Sequence, residues 1–318
     1  MKGSSLASAV EIGYERLLLP IDGGSLAVTK LNSSGETARA MVLINCAMGV
    51  KQSFYGPFAR FLAGIGYSVY TWDYRGVGES TLNRESARNV SLEQWAYDDL
   101  SLVISAATAA DPELPIVVIG HSFGGQIISL PENRGAITGG LLIACPSGYV
   151  GHWRGKARGV FMWALAHVGI PVSTRICGYF PAARLGLGAD LPRRVALEWA
   201  RWLRHPRYIG GSAKLSERIA SFNAPIHAMS MSDDDFAPSH AVDAMLSLFS
   251  GSVVTRELVA PADHGLRDIG HMGFFRARSS VLWQIAADRI DALLLNRTKR
   301  LGCTADATLQ PTNSALSG

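Results

Sequence analysis

Short apolar runs alternate along the chain with longer segments whose apolar residues recur at helical spacing. An Asp-Gly-Gly turn at residues 22–24 separates the first two runs and predicts an opening hairpin. Later runs, such as AMVLINC at residues 40–46, are almost continuously apolar, as expected for parallel strands buried on both faces. The predicted strands are residues 14–19, 26–31, 40–46, 67–73, 115–119, 140–144, 225–231 and 253–259. The predicted helices are residues 54–64, 92–109, 240–249 and 274–294, with a further helix beginning at residue 125.

This order of strands and helices predicts an α/β fold, with a mostly parallel eight-stranded sheet and helices on both faces. Between residues 149 and 222 the alternation gives way to helical, tryptophan-rich sequence. We interpret this segment as a helical cap inserted over the carboxyl edge of the sheet. The core is then residues 11–148 and 223–297, and the small, polar tail at residues 298–318 is predicted to be disordered.

Composition is that of a globular protein, with 48% hydrophobic residues over 318 positions. A net charge of +4 is too small to indicate a nucleic-acid partner. The four cysteines show no CxxC or Cys/His spacing, so we expect reduced thiols, no metal site and no cofactor. The N-terminus does not resemble a signal peptide, and the longest apolar run, residues 159–172, is too short to cross a bilayer. We therefore expect a cytoplasmic protein without a transmembrane segment, and the sequence does not specify its oligomeric state.

The predicted cap is strongly basic. Residues 151–210 contain ten Lys or Arg and two acidic residues, a net charge of +8 that exceeds the +4 of the whole chain. The tryptophans of this segment favour an apolar or aromatic group beneath the cap, and they are Trp153, Trp163, Trp199 and Trp202. The charge favours either a small-molecule ligand with an anionic end or an anionic surface. The alternative is that the arginines are simply solvated.

A Gly-x-Ser-x-Gly motif, GHSFG at residues 120–124, follows the apolar run at 115–119 and precedes a predicted helix. In this strand–turn–helix context the serine occupies a sharp, strained turn that lifts its hydroxyl above the sheet. Ser122 is therefore the candidate nucleophile, and the Phe123 amide is a candidate donor to an oxyanion. The alternative is an ordinary glycine-rich turn.

A serine nucleophile needs a base and an acid that orients the base. The segment SMSDDDFAPSH at residues 230–240 follows a predicted strand at the sheet edge where α/β sites form. Asp234 stands four residues before Pro238, as in many enzymes with this motif, and is the candidate acid. Asp235 is the runner-up, and Asp233 is the weakest of the three. A metal role is disfavoured, because three adjacent side chains do not readily converge on one ion and the spacing is not that of a calcium loop.

Two late histidines are candidates for the base. His271 immediately precedes the last predicted helix, where this order of elements expects the catalytic histidine, and His264 in the preceding loop is the runner-up. A second oxyanion donor is expected from the loop after residues 40–46. Its register is open between the amides of Ala47 and Met48, since a backbone N–H requires no particular side chain.

These segments together resemble the α/β-hydrolase superfamily over most of the chain. The motif GHSFGG, the position of the cap and the order Ser–Asp–His carry the resemblance. Three longer segments are similar to recurring segments of bacterial predicted serine hydrolases near the serine-aminopeptidase and monoacylglycerol-lipase-like branch, namely YGPFARFLAGIGYSVYTWDYRGVGES, LPRRVALEWARWLRHPRY and IGHMGFFR. The resemblance implies the α/β-hydrolase fold and a serine nucleophile, but no particular substrate. The His-Gly pair common at the second oxyanion position is absent.

The expected function is that of a carboxylesterase-like or lipase-like serine hydrolase, which cleaves an ester or thioester through an acyl-enzyme. Ser122, Asp234 and His271 would form its triad. An acyltransferase with the same acyl-enzyme, a peptidase and a non-catalytic binding module are the alternatives. Acidic residues that would hold a peptide amino terminus are scarce in the cap, and a complete triad disfavours a binding module.

Overall fold

A computed structural model describes residues 12–153 and 157–307, with side chains described as far as residue 295. The strands are β1 (Tyr14–Ile21), β2 (Gly24–Leu31), β3 (Met41–Asn45), β4 (Ser68–Trp72), β5 (Thr81–Leu82), β6 (Ile116–His121), β7 (Ile137–Ile143), β8 (Tyr179–Phe180), β9 (Leu191–Pro192), β10 (Ile226–Met231) and β11 (Val254–Val259). The helices are α1 (Gly56–Gly64), α2 (Arg84–Asn89), α3 (Leu100–Ala110), α4 (Phe123–Gln126), α5 (Ala157–Ala164), α6 (Ile170–Cys177), α7 (Arg193–Arg204), α8 (Ala213–Ala220), α9 (Ser239–Leu246), α10 (Gly270–Gly273) and α11 (Trp283–Ala307).

One large sheet forms the centre of the molecule. Over the described ranges it has nine strands, in the order β1-β2-β4-β3-β6-β7-β10-β11, with β5 paired to β2. From β4 to β11 along this order every pairing is parallel, whereas β2 pairs antiparallel with its three neighbours. The predicted α/β fold is confirmed. The ninth strand, β5, is only two residues long, which is too short to leave a periodic signal in the sequence.

The middle strands are the most deeply buried part of the sheet. Every residue of β3, β4 and β6 is buried. Helices α1 and α11 pack against β4 and β7, and α3 packs against β3. Burial on both faces explains why these strands read as continuous apolar runs. Because the three strands are parallel, their carboxyl ends lie at one edge of the sheet, and the site described below lies beyond the ends of β3 and β6.

Two helices differ from the sequence-based expectation. The helix expected from residue 125 is a single turn, α4, and Ile127 already has non-helical backbone angles (φ −109°, ψ 0°). Pro131 lies four residues further on, where a continuing helix would lose a backbone hydrogen bond. At the other end of the chain, α11 continues to Ala307 and so overlaps the predicted tail at residues 298–318. Residues 308–318 lie outside the described part of the chain.

The segment between β7 and β10 contains α5 to α8 and the small antiparallel pair β8–β9. Helices α5 and α6 are joined by a π-helical turn, Leu165–Gly169, into one continuous 21-residue helix, Ala157–Cys177. Within the described residues this helix alone is long and apolar enough to cross a membrane, a weak criterion that core helices of soluble proteins also meet. Only 28% of the residues in its most apolar stretch are buried, and Val160, Phe161, Trp163, Val168, Val172 and Ile176 are exposed. The division into core and cap at residues 149–222 stays a prediction.

Candidate active site

Ser122 sits on a strained turn between β6 and α4. Its backbone angles are φ 51° and ψ −115°, a region that L-residues rarely occupy. The flanking glycines are required by close packing. A Cβ atom on Gly120 would lie 2.3 Å from the Gly125 Cα atom, and one on Gly124 would lie 2.1 Å from the Asn45 carbonyl oxygen. The motif therefore has the strand–turn–helix geometry that presents a serine hydroxyl above a sheet edge. The following helix is one turn long, so its dipole adds little to the site.

The structure brings Ser122, His271 and Asp234 together in one hydrogen-bonded chain. The His271 Nε2 atom lies 3.0 Å from Ser122 Oγ, and His271 Nδ1 lies 2.7 Å from Asp234 Oδ2. A carboxylate can only accept here, so Nδ1 carries the proton and Nε2 is free to accept the serine proton. Asp234 is fully buried and its other oxygen accepts the amides of Phe236 and Ala237 at 2.8 and 3.0 Å. The carboxylate is thereby fixed in position.

The two runners-up lie elsewhere. The Asp235 side chain is exposed and lies 3.7 Å from the Arg158 guanidinium of α5, while its carbonyl oxygen accepts the Trp153 indole N–H at 2.8 Å. His264 ends a short 3₁₀ turn, Pro261–His264, ahead of the His271 segment. Among the hydrogen bonds of the described residues, neither side chain reaches Ser122 or His271.

The two candidate oxyanion amides after β3 differ in their partners. The Ala47 N–H donates to the Tyr55 hydroxyl at 2.9 Å and is therefore committed. Both Ala47 and Met48 line the same cavity as Ser122 and Phe123. Because the Ala47 amide already has a partner, the Met48 amide is the better candidate for the second oxyanion donor, beside that of Phe123. The Asn45 side-chain amide donates to the Gly124 carbonyl at 2.8 Å and ties this loop to the serine turn.

A buried relay of hydrogen bonds, from the Ala47 amide through Tyr55 and His121 to the His271 carbonyl, joins the loop after β3 to the His271 segment. The sequence did not indicate it. His121 Nε2 lies 2.9 Å from the His271 carbonyl oxygen and must donate to it, so neutral His121 accepts the Tyr55 hydroxyl proton at Nδ1, also at 2.9 Å. Complete burial, and then the neighbouring His271, lower the pKa of His121 to about 3. Burial likewise holds the pKa of the Tyr55 hydroxyl well above its ordinary value. Both groups therefore stay neutral at physiological pH.

A cavity of about 260 Å³ lies over Ser122 and His271. Its walls are mainly apolar, with Met162 and Leu165 from the buried face of the helix Ala157–Cys177. Its polar part is a buried chain in which the Trp199 indole donates to the Tyr208 hydroxyl at 3.2 Å, and that hydroxyl donates to the Gln126 side chain at 3.0 Å. None of the described residues that line the cavity is Lys, Arg, Asp or Glu. Nor does the described part of the chain contain a group of three His, Cys, Asp or Glu side chains that could hold a metal.

Comparisons with known proteins agree with this architecture. Residues 36–171 match the family described as serine aminopeptidase, S33. The human monoglyceride lipase is 28% identical over 138 residues, which is 42% of this chain and 44% of that protein. The monoacylglycerol lipase of Mycolicibacterium smegmatis is 28% identical over 106 residues, which is 33% of this chain and 37% of that protein. The chain thus spans less than half the length of these curated relatives.

Solved structures extend the likeness over nearly the whole chain. A soluble variant of monoglyceride lipase from Saccharomyces cerevisiae superposes with a TM-score of 0.62 at 16% identity, covering 92% of this chain and 97% of that one. An esterase from Exiguobacterium antarcticum gives 0.55 at 16% identity, with 86% and 98% covered. At such identity a structural likeness shows the fold alone. The resemblance to the α/β-hydrolase superfamily, near its monoacylglycerol-lipase-like branch, is confirmed.

Proposed function

We propose that this α/β-hydrolase-fold protein is a serine hydrolase that cleaves a carboxylic ester through an acyl-enzyme. The observation that carries the proposal is the hydrogen-bonded chain from Ser122 through His271 to buried Asp234. A serine hydroxyl becomes a nucleophile only when a base removes its proton, and this geometry supplies the base in the required tautomer. The esterase and lipase names of the similar proteins support the same reaction type.

The reaction follows from the positions of these atoms. Ser122 Oγ attacks the ester carbonyl carbon while its proton passes to His271 Nε2, and Asp234 stabilises the imidazolium. The amides of Phe123 and Met48 stabilise the negative oxygen that develops. The carbon–oxygen bond to the alcohol then breaks, and the alcohol leaves with the proton from His271. Water repeats the sequence on the acyl-enzyme, releasing the acid and restoring the Ser122 hydroxyl.

Covalent labelling tests the proposed nucleophile and its base. A fluorophosphonate probe is expected to modify the wild-type protein at Ser122 and to leave Ser122→Ala unlabelled. His271→Ala is expected to lose nearly all labelling, because nothing else removes the serine proton. The matched variant His264→Ala should label at the wild-type rate. Labelling of His271→Ala, or its loss in His264→Ala, would overturn the assignment of the base.

The cavity favours a neutral ester with an apolar acyl group. Its apolar walls suit a hydrocarbon chain, and no charged residue lines it within the described chain, so an anionic substrate end would be desolvated without a partner. A protonated peptide amino terminus would lack a carboxylate partner for the same reason, which favours an ester over a peptide. Neutral nitrophenyl esters are expected to react at least about tenfold faster than esters of similar length that end in a carboxylate, since burying an unpaired charge costs several kcal/mol. Equal rates would refute the charge argument.

The basic charge of the cap is better explained by contact of its outer face with an anionic lipid surface than by an anionic substrate. Along the helix Ala157–Cys177 most of the exposed side chains are apolar, with Val160 71% and Ile176 77% exposed. Residues 133–189 contain no Asp or Glu, and Arg175 and Arg184 lie exposed on this part of the cap. An apolar face with basic neighbours is the combination that binds at anionic membrane interfaces. We propose that the enzyme meets its apolar ester there; a cytoplasmic location remains part of the proposal.

Vesicle co-sedimentation tests the lipid contact. The protein is expected to bind vesicles that contain anionic lipid and to bind zwitterionic vesicles weakly. Changing Val160 and Ile176 to Ser should reduce vesicle binding while activity on a soluble ester is unchanged. Changing Leu258 and Val281 to Ser is the matched control, because these residues are also large, apolar and more than half exposed but lie on other elements. Equal binding by the two double variants, or none by the wild type, would contradict the proposal.

A further inference from the structure

The three aspartates after β10 have three different partners. Asp234 holds the His271 imidazole, and Asp235 faces the cap at Arg158. Asp233 does neither. Its Oδ2 atom accepts the Ile269 amide at 2.8 Å, and the Gly270 amide lies 3.1 Å from both of its oxygens. The carboxylate thus binds the two backbone N–H groups directly before His271.

The segment that Asp233 binds is anchored by the buried Ile269 side chain, but its backbone at Gly270 has little side-chain packing to fix it. Gly270 has a positive φ of 58°, and the helix that begins there, α10, is only four residues long. Glycine loses more conformational freedom on ordering than any other residue, so its backbone needs a partner to stay in one state. Charge-assisted hydrogen bonds from backbone N–H to carboxylate are roughly twice as strong as neutral ones. Asp233 therefore restrains the backbone on the N-terminal side of His271.

The C-terminal side of His271 is restrained separately. Its carbonyl oxygen accepts the His121 Nε2 proton at 2.9 Å, and His121 is fully buried. The imidazole is held at Nδ1 by Asp234 at 2.7 Å, a side chain adjacent in sequence to Asp233. The end of β10 thus fixes both the ring of His271 and the backbone before it. Removal of Asp233 leaves the other two contacts intact but removes the acceptor of the Ile269 and Gly270 amides, so the backbone at Gly270 is held less firmly.

We propose that Asp233 is a positioning residue, which holds His271 within reach of Ser122 through the amides of Ile269 and Gly270. The inference rests on the proposed function, since it assumes that the 3.0 Å contact between His271 and Ser122 is the reactive one. Asp233 touches neither the substrate nor the reacting atoms. Its loss should lower the rate of the chemical step and leave substrate binding unchanged, because the cavity walls are unaffected.

The test compares Asp233→Ala with Asp235→Ala, which removes the same charge from the next-but-one position without touching the His271 segment. Asp233→Ala is expected to lower kcat for a neutral ester, and the rate of fluorophosphonate labelling, by on the order of tenfold to a hundredfold, the range expected for small misplacements of a catalytic group. KM should stay within about twofold of the wild-type value. Asp235→Ala should keep the wild-type kcat. Asp233→Asn, which retains one acceptor oxygen, should recover part of the loss.

The outcomes separate the inference from the proposed function. A wild-type protein that is not labelled at Ser122 would overturn both. A labelled wild type together with folded Asp233→Ala that reacts at the wild-type rate would overturn the positioning role alone. Unfolding is not expected, because the Asp233 side chain lies at the surface. If Asp233→Ala does unfold at the assay temperature, kcat is compared at a lower temperature at which the variant is folded, and a wild-type kcat there refutes the inference. A loss of melting temperature with normal kcat would mean that Asp233 is only structural.

Discussion

Because buried His121 stays neutral in the folded chain, the free energy of unfolding is expected to decrease as the pH falls below neutral. Both ring nitrogens are used in the neutral form, one as donor to the His271 carbonyl and one as acceptor of the Tyr55 hydroxyl. Complete burial, reinforced by His271, lowers the pKa of His121 from 6.5 to about 3. The unfolded chain therefore binds this proton more readily than the folded chain. The stability that neutral His121 supports is fully present above about pH 6.5 and is lost as the pH falls from there towards about 3.

The magnitude follows from the two pKa values. With an unfolded pKa of 6.5 and a folded pKa of about 3, unfolding becomes about 2 kcal/mol easier at pH 5 than at pH 7. At pH 5 the folded His121 carries almost no proton, so this difference is set almost wholly by the unfolded chain. For a domain with a total stability of about 5–15 kcal/mol, such a loss is readily measured.

Urea unfolding at pH 7 and pH 5, followed by tryptophan fluorescence, measures the effect. The free energy of unfolding of His121→Gln should fall by about 2 kcal/mol less between pH 7 and pH 5 than that of the wild type, because its buried side chain does not titrate. His205→Gln is the control for the loss of one imidazole, and its exposed position predicts the wild-type difference. If His121→Gln and the wild type lose equal stability between the two pH values, His121 is not the buried neutral group described here.

Three further substitutions follow from the packing of the site. Gly124→Ala places a Cβ atom 2.1 Å from the Asn45 carbonyl oxygen. It should lower the free energy of unfolding in urea by about 1–3 kcal/mol or more and abolish fluorophosphonate labelling of Ser122. Gly135→Ala, where a Cβ atom meets nothing within 4 Å, should change neither. Tyr208→Phe removes the acceptor of the Trp199 indole N–H and the donor to the Gln126 side-chain oxygen, and it should lower the free energy of unfolding by about 1–3 kcal/mol; an unchanged value would contradict the buried polar chain. Leu165→Trp should fill part of the cavity and move the preferred acyl chain to a shorter length in an ester series, and an unmoved optimum would place the acyl group elsewhere.

The sequence allowed prediction of those parts of the site whose signals are local. The glycines around Ser122 follow from a turn too tight for side chains, and the position of His271 follows from the order of strands and helices. Asp234 was separated from its two neighbours only by its spacing from Pro238. Three adjacent aspartates are chemically identical in sequence, and only the direction of each side chain at the strand end decides what it binds.

Contacts between distant parts of the chain could not be predicted. The relay runs from Ala47 through Tyr55 and His121 to the His271 carbonyl, and its longest-range hydrogen bond joins residues 150 positions apart. Each of these residues alone reads as an ordinary core residue. The charge of the cap gave a similar difficulty. The net charge of +8 can be counted from the sequence, but the count does not say where the side chains point. Whether the arginines face the cavity or the solvent depends on how the helices pack.

The turn after β10 contacts both the predicted cap and the candidate catalytic histidine. The carbonyl oxygen of Asp235 accepts the indole N–H of Trp153, a cavity-lining residue at the start of the cap, and the Arg158 guanidinium stacks 3.9 Å from the ring centre of Phe236. The residue before Asp235 orients the His271 imidazole. One short turn therefore contacts both Trp153 and the His271 imidazole. The three adjacent carboxylates at this strand end have separate partners, namely the backbone before His271, the His271 imidazole and Arg158, and these partners give a physical reason for the carboxylates to be concentrated there.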